Sequence, residues 1–171
     1  MKKYEFTGET KEIKLLFRTA VLHRIRATVS FGFVKIGDLG GWIEKEENLS
    51  HEGKAWVCGD AKVWGDAKVC GDAEVCGDAK VWGNAKVFSA SHVLVIGAIG
   101  SRNDFTTFYR DKDNEITVKC GCFLGKIDRF LEKVTQTHGD SKYALVYRAA
   151  VEVAKLQIDL SGEAPKDADE E

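Results

Sequence analysis

The chain has no long apolar run, no strong net charge and no regular pattern of cysteines. No stretch approaches the roughly 20 apolar residues that a transmembrane helix needs, so a membrane-spanning protein is not expected. The N-terminus, MKKYEFTGETK, is basic but is not followed by an apolar segment, which predicts the absence of a secretory signal peptide. A composition of 44% hydrophobic and 30% charged residues is typical of a globular protein and excludes a fully disordered chain.

Cysteine usage and charge indicate the compartment and limit the partners. The five cysteines are odd in number and lack the spacing of a disulfide framework, which indicates a reducing cytoplasm. The net charge of −2 argues against a simple polyanion-binding protein. The charge is nevertheless uneven. Residues 1–35 contain eight Lys and Arg against three Glu, whereas residues 161–171 contain five acidic residues and one Lys.

Five near-copies of a six-residue word, GDAKVW, GDAKVC, GDAEVC, GDAKVW and GNAKVF, run from Gly59 to Phe88. The Ala and Val of a word are two residues apart, so in a strand they face one side while Lys and the last residue face the other. Gly and Asp favour turns, because Gly tolerates a positive φ and Asp can hydrogen-bond to its own backbone. Each word therefore predicts a short strand and a corner, and so short a repeat indicates a β-helix.

The words resemble the hexapeptide-repeat family of left-handed β-helices, in which an aliphatic residue recurs every six positions with a small residue two before it. The resemblance covers Ala55 to about Ile99 and implies a triangular coil made of three words. We therefore predict a mainly β fold: a left-handed parallel β-helix of about three coils of three hexapeptides. An N-terminal β cap and a C-terminal β-hairpin plus two-helix unit close it. The leader GDLGGWIEKEENLS, followed by GDAxV words, also resembles a group of phage and prophage proteins of unknown role.

The chain divides into four predicted segments. They are an N-terminal β-strand cap (1–38), the hexapeptide-repeat β-helix (39–105), a C-terminal hairpin with two helices (106–160), and a disordered acidic tail (161–171). The hairpin is expected to turn at Asp113-Asn114. Apolar residues at helical spacing in GKIDRFLEKVTQTHG and in DSKYALVYRAAVEVAKLQI predict two amphipathic helices.

A coil of three words stacks each residue on the equivalent residue three words later, about 4.8 Å away on the neighbouring strand. This three-word register places Trp64 over Trp82 and Lys62 beside Lys80. Together these side chains predict a cationic and aromatic face that suits a nucleic acid or an acidic partner, because aromatic rings stack on bases and Lys meets phosphate. The alternative is that the C-terminal helices cover this face and bury the indoles.

A second basic patch is predicted in the N-terminal strands. In the sequence HRIR, Arg24 and Arg26 alternate with apolar residues, so both are expected to point to solvent. Two interpretations remain: the pair contacts phosphate, or it forms a charged edge strand that discourages aggregation.

The cysteines predict no metal site. Cys58 and Cys76 occupy equivalent positions under the three-word register, and their expected Cα separation allows a disulfide in air, although a reducing compartment opposes one. Cys120 and Cys122 have no second pair of ligands at a suitable spacing for zinc, which favours packed, reduced thiols. No cofactor is predicted.

No residues combine a nucleophile, a base and an orienting group, so no catalytic residue is predicted. The expected function is a non-enzymatic binding protein in the cytoplasm of a bacterial host. The resemblance implies a phage-encoded inhibitor of a host enzyme or defence complex, for example an anti-CRISPR protein, that acts by surface occupation or nucleic-acid mimicry. The partner would be a host protein or a protein–nucleic acid complex. The predicted contacts are Trp64, Trp82, Lys62, Lys80, Arg24 and Arg26.

The alternative function is an acyl-CoA-dependent acyltransferase of the hexapeptide type. The resemblance implies a coil or loop His as general base, and His92 occupies a predicted outward position in the column of Glu74. The stretch from Val57 to Val93 has no long loop of the kind that usually builds an acyl-donor tunnel. The sequence does not specify an oligomeric state, and several β-helix families trimerise.

Overall fold

The computed structural model describes residues 1–162, in which the chain forms thirteen β-strands and two α-helices. The N-terminal strands are β1 (Tyr4–Lys14), β2 (Thr19–Ala27) and β3 (Leu39–Ile43). The strands of the repeats are β4 (Trp56–Val57), β5 (Lys62–Val63), β6 (Lys68–Val69), β7 (Glu74–Val75), β8 (Lys80–Val81) and β9 (Lys86–Val87). The C-terminal elements are β10 (Val93–Ile99), β11 (Asp104–Arg110), β12 (Ile116–Cys120), β13 (Phe123–Lys126), α1 (Ile127–His138) and α2 (Lys142–Gln157).

The strands of the repeats pair in parallel with the equivalent strands three words later. β4 pairs with β7, β5 with β8, and β6 with β9. The Ala and Val of every word are buried. The glycine that begins each word has a φ between 63° and 71°, where a residue with a Cβ would be strained. The predicted three-word register and the corner role of glycine are confirmed.

The prediction of a left-handed parallel β-helix as the fold is wrong. Within residues 1–162 the paired strands of the repeats do not form a closed or solenoid sheet. They fall into a β4–β7 sheet, a β6–β9 sheet, and one end of a mixed five-stranded sheet with the order β1-β2-β3-β5-β8. The six-residue word leaves only two residues in each strand, whereas the long N-terminal strands extend one sheet in antiparallel fashion. The fold is mainly β, with several small sheets and two helices.

The N-terminal hairpin leads directly into the repeats. β1 and β2 are antiparallel, β2 is antiparallel to β3, and β3 is parallel to β5. Along β2, Ala20 and Leu22 are buried at alternate positions and pack against Trp42 and Trp64. Ile25 of the same strand belongs to the main core, which also contains the Ala and Val of the words. The hairpin is therefore packed over the repeats and does not only close one end.

The C-terminal part is an antiparallel sheet with the order β10-β11-β12-β13. β11 and β12 form the predicted hairpin, and Asn114 in its turn has a φ of 58°. Both predicted helices are present, and α1 ends before Gly139, which has a φ of 55°. Side chains of α1 and α2, among them Phe130 and Val151, form a second core with Phe108 and other residues of the sheet.

The chain after α2 returns to the sheet. The backbone carbonyls of Ser161 and Gly162 accept hydrogen bonds from the Arg110 guanidinium at 2.7 and 2.5 Å. Residues 163–171, most of the tail that was predicted to be disordered, lie outside the described residues. In the part that the structure describes, neither helix has the length and apolar character to cross a membrane.

Candidate binding surface

The two tryptophans of the predicted face stack as expected but differ in exposure. The ring centroids of Trp64 and Trp82 are 5.9 Å apart, with 14° between the ring planes. Trp64 is only 1% exposed, because residues of the β1–β2 hairpin cover it, and Trp82 is half-buried. The prediction that Trp64 contacts a partner is therefore wrong. The alternative prediction, that the C-terminal helices cover this face, is also wrong, because the N-terminal hairpin covers it.

Lys62 is held within the protein. Its ammonium donates to a carboxylate oxygen of Asp60 at 2.7 Å and to the Asp60 carbonyl at 2.9 Å. Lys11 also donates to this carboxylate, as does the indole N–H of Trp42 at 3.1 Å. Partial burial alone would raise the pKa of Asp60, but the hydrogen bonds from the two Lys side chains outweigh it and lower that pKa to about 2. Asp60 is thus ionised and compensates the charge of Lys62.

The two predicted arginines are paired in the same way. Arg24 lies 3.3 Å from the Glu9 carboxylate and over the ring of Trp42, with 5.5 Å to the centroid. Arg26 donates twice to one carboxylate oxygen of Glu5, at 2.5 and 3.1 Å. These pairs join β1 and β2 across the hairpin. The internal pairing argues against a phosphate-contacting patch, and the other interpretation, a charged edge strand, is also wrong, because β2 lies between β1 and β3 in the sheet.

Lys80 differs from the other predicted cations. Among residues 1–162 no carboxylate forms an ion pair with its half-buried side chain, and its backbone N–H donates to the Thr107 hydroxyl at 3.0 Å. Thr107 of β11 is paired with Lys119 of β12, so Lys119 is brought next to β8. The Lys119 ammonium donates to the Gly121 carbonyl. Burial, and then repulsion by Lys80, lower the pKa of Lys119, in keeping with this placement next to β8.

Trp82 lies beside this Lys pair. It follows β8 and is two residues from Lys80, so both side chains leave the strand on the same side. The Tyr109 hydroxyl donates to the Trp82 carbonyl at 2.7 Å, which fixes the backbone there. We name Lys80, Trp82 and Lys119 the Lys–Trp patch. Two of its members were predicted from the repeat. Lys119 was not, because only the pairing of β11 with β12 places it there.

His92, the candidate base of the acyltransferase alternative, is not at an outward position. It is 2% exposed, its Nδ1 accepts from the backbone N–H of Phe88 at 3.3 Å, and its Nε2 lies 3.3 Å from Arg110. Burial, and then the Arg110 charge, lower the pKa of His92, so the imidazole is neutral near pH 7. Its two ring nitrogens face groups of the protein, which suits a packing role.

The predicted cysteine pair is in contact. Cys58 and Cys76 are joined as a disulfide with 4.6 Å between their Cα atoms. Cys122 is exposed and Cys120 is half-buried, with its sulfur 3.8 Å from the Tyr147 hydroxyl.

Comparison with known proteins adds no assignment: no protein-family profile matches the chain, and no curated protein matches it significantly.

Proposed function

We propose that this protein is a non-enzymatic binding protein whose Lys–Trp patch contacts an acidic surface of its partner. The observation that carries the proposal is geometric: the Lys80 N–H bonds to Thr107, which pairs with Lys119, and no carboxylate of the described chain forms an ion pair with Lys80. The other predicted cations, Lys62, Arg24 and Arg26, are each neutralised internally. A phosphate or carboxylate group of a partner would relieve the repulsion between the two ammonium groups and form charge-assisted hydrogen bonds with them.

Trp82 supplies the apolar part of the contact. Trp residues are enriched among the residues that dominate binding energy, and their rings also stack on nucleic-acid bases. The ring of Trp82 already stacks on the buried Trp64, and its backbone is held by Tyr109. A side chain that is ordered before binding loses less conformational entropy on binding. The patch therefore combines a fixed aromatic group with two cations.

The nature of the partner rests on the resemblance of the leader and of the GDAxV words to phage and prophage proteins. This supports a host protein or a host protein–nucleic acid complex in the bacterial cytoplasm as the partner, and inhibition of that complex as the consequence. To mimic a nucleic acid and occupy a phosphate-binding groove of the partner, this protein would need an acidic surface. The Lys–Trp patch instead fits contact with phosphate or carboxylate groups that the partner presents.

The test is a capture experiment with charge-reversal variants. Tagged wild-type protein, K80E, K119E and the control K133E are incubated with host cytosol, and captured proteins and nucleic acids are quantified. Lys133 is an exposed residue of α1, an element that contains no residue of the patch. We expect the partner to be captured by the wild type and K133E, and its affinity to fall about tenfold or more in K80E and K119E.

Two further measurements make the result specific. Affinity for the captured partner should weaken as salt increases, since exposed charge pairs are screened. Trp82→Ala should weaken binding by more than about 1 kcal/mol if Trp82 is a dominant contact, with an unchanged circular dichroism spectrum. Equal capture by all four proteins, or a measured turnover of any small substrate, would show the proposal to be wrong.

A further inference from the structure

A second cluster of reactive side chains lies on another side of the repeats. Trp56 of β4 pairs with Glu74 of β7, so Cys58 and Cys76 follow these strands side by side. One carboxylate oxygen of Glu74 lies 3.7 Å from the Cys58 sulfur and 3.1 Å from the Cys76 sulfur. All three side chains are half-buried, and their sulfur and oxygen atoms all lie within 4.8 Å of one another. Two sulfurs and one carboxylate thus converge on one point.

Glu74 breaks the repeat at this point. Its position is occupied by Lys in each of the other four words, at Lys62, Lys68, Lys80 and Lys86. The acidic residue occurs only in the word whose last residue, Cys76, contacts a second cysteine, Cys58. A Lys here would repel a cation, whereas Glu supplies an anionic oxygen ligand. Glu74, which departs from the repeat, therefore lies beside the pair of Cys58 and Cys76.

The contacts of Glu74 fit reduced sulfurs better than a disulfide. A disulfide has no S–H group, so it cannot donate a hydrogen bond to the carboxylate. Two thiols could donate, and two thiolates with a carboxylate would need a cation between them. Within residues 1–162 no Lys, Arg or His side chain forms an ion pair with Glu74.

We propose that reduced Cys58, Glu74 and Cys76 bind one thiophilic divalent cation, of which Zn²⁺ is the best match. Zinc takes Cys sulfur at about 2.3 Å and carboxylate oxygen at about 2.0–2.2 Å, and three protein ligands leave its fourth tetrahedral position to water. Access is available, because Glu74 also lines a surface groove with Trp56, Lys54 and Phe31. The site is independent of the Lys–Trp patch and of the proposed binding function.

The bound metal and the disulfide are alternatives. A thiol reductant such as a cellular monothiol reduces the disulfide: two thiol molecules become one disulfide, and Cys58 and Cys76 each gain one electron and one proton. Zinc binding then forms two zinc–sulfur bonds and one zinc–oxygen bond and releases the two thiol protons to solvent. In the reverse direction, the disulfide of the same monothiol takes two electrons from the two thiolates and becomes two monothiolates, while Cys58 and Cys76 form their disulfide, the two zinc–sulfur bonds break and the metal is released.

The test uses the full chain, reduced with a phosphine and freed of metal. Zn²⁺ is titrated and its stoichiometry is measured by elemental analysis after gel filtration. Co²⁺ is titrated separately, because thiolate ligation gives it a charge-transfer absorption in the near ultraviolet. The wild type should bind about one equivalent with thiolate absorption. Cys58→Ser and Cys76→Ser should lose this binding, and Glu74→Gln should weaken it at least tenfold.

Two variants separate a metal site from a folding effect and from other thiols. Glu74→Lys restores the common word, so it should fold normally and yet lose the metal. Cys122→Ser removes an exposed cysteine outside the cluster and should keep one equivalent. The proposal is overturned if the reduced wild type binds no metal. It is also overturned if E74K binds as tightly as the wild type, or if only C122S loses binding.

Discussion

Trp64 stacks in parallel on Trp82, the equivalent residue three words later, and only the second of them reaches the surface. The same pair thus has two roles. Trp64 closes a small core between the β1–β2 hairpin and the repeats, together with Ala20, Leu22 and Trp42. Trp82 lies at the border of this core, where it stacks on Trp64 and stays partly exposed to a partner. Stability and binding should therefore respond differently to the two substitutions.

Trp64→Ala should lower the free energy of unfolding by about 3–5 kcal/mol, because it removes a large, fully buried side chain and leaves a cavity. Urea unfolding followed by circular dichroism measures the change. Phe17→Ala is the control, since Phe17 is 94% exposed at the tip of the hairpin and its loss should change stability by less than about 0.5 kcal/mol. Similar unfolding midpoints for the two variants would contradict the buried position of Trp64.

The periodicity of the words was enough to predict which residues pair and which face inward. Side chains alternate in any strand, and the regular spacing of the words places Val63 next to Val81 whatever surrounds them. The periodicity was not enough to predict which of the outward-facing side chains are exposed to solvent. Whether Trp64 is exposed depends on where the N-terminal hairpin packs, and this is a long-range contact that no local pattern encodes.

The same limit explains the error in the fold class and part of the error in the site. The words indicate short parallel strands, but how sheets join depends on the flanking strands, and here β3 joins an antiparallel hairpin to β5. The leader also departs from the three-word register, which would pair Ile43 with Ala61, whereas Ile43 pairs with Val63. Lys119 belongs to the candidate site only through its pairing with a residue of β11, and the carboxylates that neutralise the two predicted arginines lie on a different strand.

The buried carboxylate of Asp111 should make stability depend on acid pH. Its side chain accepts from the Thr117 hydroxyl at 2.7 Å, from two backbone N–H groups and from the Lys126 ammonium at 2.5 Å. Burial alone would raise the pKa of Asp111, but these hydrogen bonds, first that of Lys126, lower it. The unfolded state then binds the proton more readily, so this stabilisation is present above the unfolded pKa of about 3.9 and is lost as pH falls through the folded value.

Lys126→Met should therefore destabilise the protein by about 1–3 kcal/mol at pH 7, because it leaves a buried carboxylate with one strong partner fewer. The difference from the wild type should shrink as the pH falls below the unfolded pKa of about 3.9 and Asp111 becomes protonated. Urea unfolding at several pH values measures both effects, with Lys133→Met on the exposed side of α1 as the control. A loss that stays the same from pH 7 to the most acidic pH at which both proteins fold would count against the ion pair.

His92 should add a second, separate pH dependence. Its pKa is lowered by burial and then by Arg110, so the folded state holds the neutral imidazole. The unfolded state takes up a proton below about pH 6.5, which makes stability fall as pH decreases from there towards the folded pKa. His92→Asn keeps an acceptor for the Phe88 N–H but cannot titrate. We expect its stability to be flatter with pH between about 6.5 and 5, and an unchanged slope would contradict this assignment.

Gly100 and Tyr147 provide a test of the packing between α2 and the β10–β11 connection. Gly100 has a φ of 75°, and a Cβ at this position would overlap the hydroxyl of Tyr147. Gly100→Ala should therefore destabilise the protein by more than the roughly 1 kcal/mol expected from the backbone conformation alone. Unfolding free energies of the two single variants and of the double variant with Tyr147→Ala form a double-mutant cycle. Removal of the ring abolishes the overlap, so Gly100→Ala should cost less in the Tyr147→Ala background, whereas additive effects would show that the helix does not approach Gly100 this closely.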